Sequence, residues 1–465
     1  MPLAALKEIT DAAGLRRPAE LPQISGADPV IPTRFRVGTA GSAALDALGV
    51  AVSRVGELRG LPPQRVRVDL KRATLSLRSA RYLRIDGKAP PTWDPMSGFY
   101  PVKDGWISIH CNFPNHRQAA LKVLGSEEDR KKAEGKSSSW NGEALEDAIH
   151  AAAGCAGFVR SADTWAKHPQ ARAVADQPLL EVARIGDAPP QPLSKASRPL
   201  GGVRVLDLTR VLAGPTCARS LAEHGADVLK ISAQHLPDNG LVDLDTGIGK
   251  LSARLDLRTE KDVAVLKNLI RDADVFSQSY RPGTLAARGF SPETLAALRP
   301  GIVCVSLSAW GTTGPWRERR GFDSIVQSVS GLAHAQGDGN TPKLLPVSAI
   351  DYVSGYLMAF GAAVALERRA REGGSWLVRV ALARVGRWIA ERGTLPDAEW
   401  RGLPADLPEA ELAPLMGEME IGTKAAGSRV RYLRPVLELS HTPPYWARPP
   451  VALGSHAPEW PARGS

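Results

Sequence analysis

Cysteine is scarce in this chain. Four cysteines (Cys111, Cys155, Cys217, Cys304) are scattered through 465 residues, with no CxxC pair. That argues against a disulfide framework and against a cysteine-built zinc site, and it fits a reducing cytoplasm. No apolar run reaches about 18 residues, so no membrane-crossing helix is expected. The N-terminal stretch carries Glu8 and Asp11 and lacks a long apolar core, so no secretory leader is read there. A basic stripe interleaved with aromatics is missing too, and nucleic-acid binding loses its usual footprint.

What is present is ordinary for a globular chain: 43% hydrophobic and 23% charged residues, enough length for two or three domains. The net charge is +10, with clusters at Arg130-Lys131-Lys132 and Arg317-Glu318-Arg319-Arg320. These read as solvated surface, and the balance is also compatible with a small polyphosphorylated ligand.

Residues 1–30 read as an N-terminal arm. Residues 31–90 carry a helical pattern and then a strand-like stretch, Arg65 to Leu70. Residues 91–196 read as a small α+β domain, with a strand near Ile107 and helices near Leu121 and over Asn141–Ala152. A proline-rich linker, Pro189-Pro190-Gln191-Pro192, follows. From residue 200 to 392 strands and helices alternate. Strands are predicted at Val203–Leu208, Asp227–Ile231, Asp274–Phe276 and Ile302–Leu307, with helices between them. Such alternation implies a mostly parallel, Rossmann-like sheet, with ligands at the carboxyl ends of its strands. Residues 393–465 read as an irregular C-terminal return segment. The fold class is therefore α/β: a Rossmann-like large domain with a smaller α+β domain.

An internal repeat is visible. Gly49 and Gly361 are 312 positions apart, and so are Val66-Arg67-Val68 and Val378-Arg379-Val380, Leu45 and Leu357, and Arg72 and Arg384. The match needs no gap over roughly 35 residues. It makes 31–90 a degenerate partial copy of the large domain's end.

Asp351 stands where a strand-like run, Pro346 to Ile350, meets a long helical pattern. A lone carboxylate at such a junction is either an N-cap or a nucleophile steadied by helix amides. In the repeat, its counterpart is Thr39, which has no carboxylate.

The run Gly201 to Pro215 resembles the opening of the family III CoA-transferases, the group of formyl-CoA and carnitine-type CoA-transferases to which α-methylacyl-CoA racemases are related. Gly225–Ile231, Arg254–Arg258, Tyr280–Leu285, Ser306–Gly311, Gly321-Phe322-Asp323 and Asp351 follow in family order, and Leu453-Gly454-Ser455-His456 resembles the closing motif. The layout departs from the family: the part like the small domain comes first, behind a partial copy.

The resemblance implies CoA transfer between an acyl-CoA and a carboxylic acid, with Asp351 passing through an anhydride and an aspartyl-CoA thioester. It implies CoA contacts at Val211, Leu212 and Ala213, at Leu255 and Arg258 beside the adenine, at Ser279, Tyr280 and Arg281 along the CoA path, and at Trp310 near the thioester. After Lys230-Ile231 the family's acid-arginine pair is replaced by Ser232-Ala233. CoA enters as a substrate, and neither a resident cofactor nor a metal is expected. Partners are the acyl-CoA and acid substrates and a second copy of the chain, interlocked in the family, with no nucleic acid and no membrane. The racemases pair their Asp with a His that is Phe322 here; His334 is either a substitute or a polar helix-end residue. A racemase-like enzyme and a silent CoA-binding subunit stay open as alternatives.

Overall fold

The computed structural model describes residues 1–15, 21–89, 93–421 and 427–462. The remaining stretches of the expected arm, partial copy, small domain and return segment lie outside the described residues. Where an arm was expected, helix α1 (Pro2–Ala12) forms and buries Ala5, Leu6 and Ile9. A short strand β1 (Gln23–Ser25) leads to helix α2 (Val37–Glu57), strand β2 (Val66–Asp69) and helix α3 (Leu70–Ser76). Helices α1 and α2 pack together.

The small unit follows. Strands β3 (Gly98–Val102) and β4 (Gly105–Ile109) pair antiparallel, helix α4 (Pro114–Leu124) comes next, and β5 (Ala156–Phe158) adds to β4. Strand β6 (Glu181–Gly186) then leaves this unit for the large sheet.

The large sheet is built from β7 (Arg204–Asp207), β8 (Asp227–Ser232), β9 (Lys250–Arg254), β10 (Val275–Gln278), β11 (Val303–Ser308) and β12 (Ser375–Ala381). Helix α5 (Ala213–Glu223) follows β7; α6 (Asp323–Val329) and α7 (Ala349–Glu372) lie between β11 and β12; α8 (Leu382–Glu391) follows β12. The strand order is β9-β8-β7-β10-β11-β12-β6, parallel except for β6 at the edge. This is the doubly wound order, whose reversal lies between β7 and β10. All four residues of β7 are buried, as a central parallel strand covered on both faces requires.

Three local readings change. Strand β9 was not read as one, although Arg254 ends it. No strand precedes Asp351: the run Pro346–Ser348 is loop, because no neighbouring strand offers it a ladder. Helix α7 is long and apolar enough to cross a membrane by length and composition, against the expectation of no such segment, yet its apolar window is wholly buried in protein. It touches α2 on one side and α5 on another. At Gly355 a Cβ would meet the Ala213 carbonyl oxygen at 2.6 Å, so glycine permits the close approach of α7 to the start of α5.

Next to Asp351, Tyr352 is tied into a buried polar network. Its hydroxyl accepts from Ala80 N at 3.2 Å and meets Ser79 Oγ at 3.0 Å; Ser79 Oγ and Arg219 each donate to Asp245 at 2.7 Å. These bonds fix the start of α7 against both the N-terminal unit and α5. The return segment is more ordered than expected. Strands Met416–Ile421 and Ser428–Leu433 pair antiparallel, and β13 (Leu437–Leu439) joins β2 antiparallel. Gly454 and His456 then dock on β9, donating to Ser252 Oγ at 3.0 Å and Ser252 O at 2.8 Å.

Candidate active site

The strand-order reversal opens a crevice where the loops after β7 and β10 diverge. In the first loop Val211 adopts φ 68°, a left-handed conformation that a β-branched residue rarely tolerates. Arg210 N donates to Ser279 Oγ at 3.0 Å and so ties the first loop to the second. Tyr280 N donates to Gln278 Oε1 at 2.8 Å, which sets the second loop's own turn.

A cavity of about 780 Å³ lies between these loops, the first turn of α7 and the start of α4. Val211, Leu212, Ala213, Ser279, Tyr280, Arg281 and Asp351 all line it, so seven sequence-predicted site residues converge. Leu255 and Arg258 line a neighbouring pocket of about 180 Å³, which shares Tyr280, His235 and Thr284 with the first. The Arg258 side chain is not a free cation: it is fastened to Asp256 at 2.6 Å. Ser232 and Ala233 line the same small pocket.

Trp310 does not join the site. It is 1% exposed and packs among Trp165 and Trp316, with its Nε1–H donating to Arg320 O at 3.2 Å. A large apolar ring with a single donor is better satisfied in that aromatic cluster than at a polar cavity wall. His334 is exposed on the helix Leu332–Gln336 and does not line the cavity.

Asp351 is 7% exposed, and that exposure faces the cavity. Its carboxyl has no hydrogen-bond partner among the described residues, whereas its backbone N–H donates to Asp323 Oδ2 at 3.0 Å. Asp323 also accepts from Ile350 N and from Gln327 Nε2, and Gln327 Oε1 accepts from Leu345 N at 2.8 Å. Asp323 is therefore the residue that caps the start of α7, and Asp351 is left bare. The first-turn amides of Ile350 and Asp351, expected to steady an oxyanion, are already engaged by Asp323. Burial, and then the adjacent Asp323, hold the Asp351 carboxyl well above the usual carboxylate range. Burial pushes Asp323 up to about 6.

The small unit completes the cavity with residues the sequence reading did not single out. Phe113, Asn115 and His116 enter from the start of α4. His110 stacks on Phe322 at 3.9 Å with a 10° interplanar angle, and the Arg210 guanidinium lies 5.2 Å from the Phe113 ring centroid. Arg319 and Arg320, read as part of a solvated charge cluster, line the cavity instead. The signal was their position just before Gly321-Phe322-Asp323, a stretch already drawn to the site by Asp323.

Residues 200–402 match the model for CoA-transferase family III. Over 225 residues the chain is 36% identical to an acetyl-coenzyme A transferase of Hypoxylon pulicicidum, covering 46% of this chain and 37% of that protein. Over 201 residues it is 34% identical to the succinyl-CoA--L-malate CoA-transferase alpha subunit of Chloroflexus aurantiacus, covering 40% and 46%. The crystal structure of a hypothetical protein from Mycobacterium tuberculosis aligns with a TM-score of 0.39 and 31% identity, over 42% of this chain and 57% of that one. The chain spans less than half the length of the two curated relatives. The segment that matches the model for CoA-transferase family III, residues 200–402, is the one that carries Asp351 and the loops around it.

Proposed function

We propose that this protein transfers CoA from an acyl-CoA to a carboxylic acid, with Asp351 as the nucleophile. The observation that carries the reading is the bare Asp351 carboxyl in the cavity wall, at the point where the sheet's strand order reverses. Deprotonated, it attacks the thioester carbonyl and expels CoA thiolate, giving a mixed anhydride. The thiolate attacks the Asp351 carbonyl, which releases the donor acid and leaves an aspartyl-CoA thioester. The acceptor carboxylate attacks that thioester and expels CoA thiolate again. The thiolate then takes the acceptor's acyl group and regenerates Asp351. Activated acyl bonds are exchanged throughout, so no nucleotide triphosphate is needed.

CoA is a substrate here, running from the Leu255 and Arg258 pocket past Tyr280 to Val211, Leu212, Ala213, Ser279 and Arg281. Residues 200–392 act as the CoA-binding domain, 31–90 as its degenerate partial copy, 91–196 as the small domain and 393–465 as the return segment, in a cytoplasmic enzyme. A homodimer is the assembly this reading carries, and sedimentation of the purified chain measures it.

Hydroxylamine added during turnover should convert Asp351 to a hydroxamate, found by peptide mass spectrometry. Turnover without that adduct, or adduct at another residue, defeats the reading. Deuterium entering at Cα without CoA exchange would move the assignment to racemisation. CoA binding without either reaction would mark a silent subunit.

A further inference from the structure

The cavity has a second chemical feature, away from Asp351. Four arginines line it, and among the described residues only Arg319 has acidic partners for its guanidinium, with Asp147 at 2.5 Å. Arg210 donates to Pro237 O at 2.7 Å and Arg281 to Glu318 O at 3.3 Å, both uncharged acceptors. Arg320 is half-buried, and its guanidinium has no hydrogen bond or ion pair with any described residue. Beside it, His116 is 6% exposed, and its Nδ1 is buried without a partner. The imidazole is edged by Phe113 at 5.3 Å and by Phe322 at 5.8 Å, and the residue lines the cavity.

The charges confirm which groups are neighbours. Burial, then Arg320 and Arg210, push His116 down to about 4. The imidazole is therefore neutral at ordinary pH and offers one donor and one acceptor. Arg320 is disfavoured by burial and by Arg281. Asp351 lines the same cavity, and its carboxyl is raised by burial and by Asp323. Among the described residues nothing neutralises Arg320, and an unpaired half-buried guanidinium calls for an anion.

We propose that Arg320 and His116 form an anion subsite that selects acids bearing a second carboxylate, gripped there while the first reacts at Asp351. This rests on the transfer reaction proposed above. A guanidinium fork matches a carboxylate in two parallel bonds, and the imidazole supplies a third donor. Phosphate groups of CoA are the other source of negative charge. They are expected toward the Leu255 and Arg258 pocket, which Arg320 does not line.

The test uses the full chain, with glutarate and pentanoate as acids of equal chain length. Ligand-observed NMR measures binding of each acid to wild type, Arg320→Met and Arg320→Lys, without acyl-CoA. Glutarate should bind wild type more tightly than pentanoate, and Arg320→Met should lose roughly 10- to 100-fold in glutarate affinity, with partial recovery in the lysine variant. In steady-state transfer the glutarate-to-pentanoate ratio of kcat/KM should collapse in Arg320→Met, with the change in the acid's KM. Equal glutarate affinity in wild type and Arg320→Met overturns the subsite. A rise in the acyl-CoA KM alone, whichever acid is used, also overturns it and gives Arg320 to the CoA phosphates. If no acid is ever a transfer acceptor but glutarate binding still depends on Arg320, the subsite stands and the transfer reading falls. If transfer runs through Asp351 and the ratio is unmoved, the reverse holds. The lysine variant, and thermal melts of both, separate lost recognition from lost folding.

Discussion

Two regions of this molecule share a backbone plan and differ in chemistry. Helix α2 begins at Val37 and α7 at Ala349; β2 ends at Asp69 and β12 at Ala381; α3 begins at Leu70 and α8 at Leu382. Each pair is 312 positions apart, the spacing of the sequence repeat. The packing repeats as well. A Cβ at Gly49 would sit 2.6 Å from Val66 Cγ1, and one at Gly361 would sit 2.5 Å from Val378 Cγ1. Even the cap repeats: Asp28 accepts from Gly38 N at 2.9 Å and Thr39 N at 2.8 Å, as Asp323 accepts from Ile350 N and Asp351 N. Both aspartates end a Gly-x-Asp triplet, Gly26-Ala27-Asp28 and Gly321-Phe322-Asp323. Among the differences, one bears on the site: the first-turn side chain is Thr39 in one copy and Asp351 in the other, and a cavity lies in front of Asp351. The scaffold is a packing solution that stands without the nucleophile.

The copies also complete each other. Strand β6 follows the first copy in sequence but pairs antiparallel with β12 of the second, and β13 follows the second but pairs antiparallel with β2 of the first. Helices α2 and α7 pack directly, with Arg54 on Glu367 at 2.7 Å. The small unit that supplies His116 to the Asp351 cavity thus reaches it through this exchange.

The widest separation between the copies should appear in turnover. Asp351→Ala is expected to lower kcat at least about 10⁴-fold, as loss of a covalent nucleophile does. Thr39→Ala, the same change at the matched position, should leave kcat within about twofold and cost about 1 kcal/mol of stability at most. Steady-state transfer assays with thermal melts read both, and comparable losses of activity would break the contrast.

The next contrast is in stability. Asp46 in α2 is fully buried and neither carboxyl oxygen has a partner among the described residues, whereas the matched position in α7 is Met358. Burial pushes Asp46 up to about 8. A carboxyl raised in the folded state binds more protons folded than unfolded. Stability from this group is therefore greatest at low pH and falls from about pH 4 to about pH 8, by up to about 1.4 kcal/mol per unit. Asp46→Met should flatten that slope and raise the melting temperature most at pH 8. Equal gains at pH 5 and pH 8 would show that the Asp46 carboxyl is not raised in the folded protein and ionises there as readily as in the unfolded chain.

Gly361→Ala and Gly49→Ala should each cost about 1–3 kcal/mol through the clash with valine, less the roughly 1 kcal/mol that alanine returns to a helix. Val378→Ala and Val66→Ala should rescue their own partners. Denaturant melts of the two cycles test whether the copies pack alike, and rescue in one copy alone would break the equivalence.

Much of this was legible from residues alone. The βα alternation gave the large sheet because parallel strands buried on both faces leave uninterrupted apolar runs. The repeat followed from spacing, and Asp351 stood out by its place before a long helical pattern and by the family resemblance. Other features were hidden for physical reasons. Strand β9 is short and carries Lys250 and Arg254, so its period is masked by charge. His116 and Arg320 lie 204 residues apart in the chain and meet only when the small unit closes on the large one. Trp310 carried a family position yet found a better partner in Trp165 and Trp316 than in the cavity.

The smallest effect separates the two caps. Asp28 and Asp323 make matched bonds to helix starts, so Asp28→Asn and Asp323→Asn should cost similar stability, about 1 kcal/mol each. Only Asp323 faces a second carboxyl. In the proposed mechanism Asp351 reacts as its anion, and burial and Asp323 both raise its pKa, so kcat/KM for the acyl-CoA should fall as pH drops, at a midpoint above the usual carboxylate range. Removing the Asp323 charge lets Asp351 ionise more easily and should move that midpoint down. Asp28→Asn should leave it in place. A pH profile of kcat/KM for the three proteins decides the matter: an unmoved midpoint in Asp323→Asn would mean that burial alone sets the nucleophile's protonation, and the two caps would then be alike in function as well as in form.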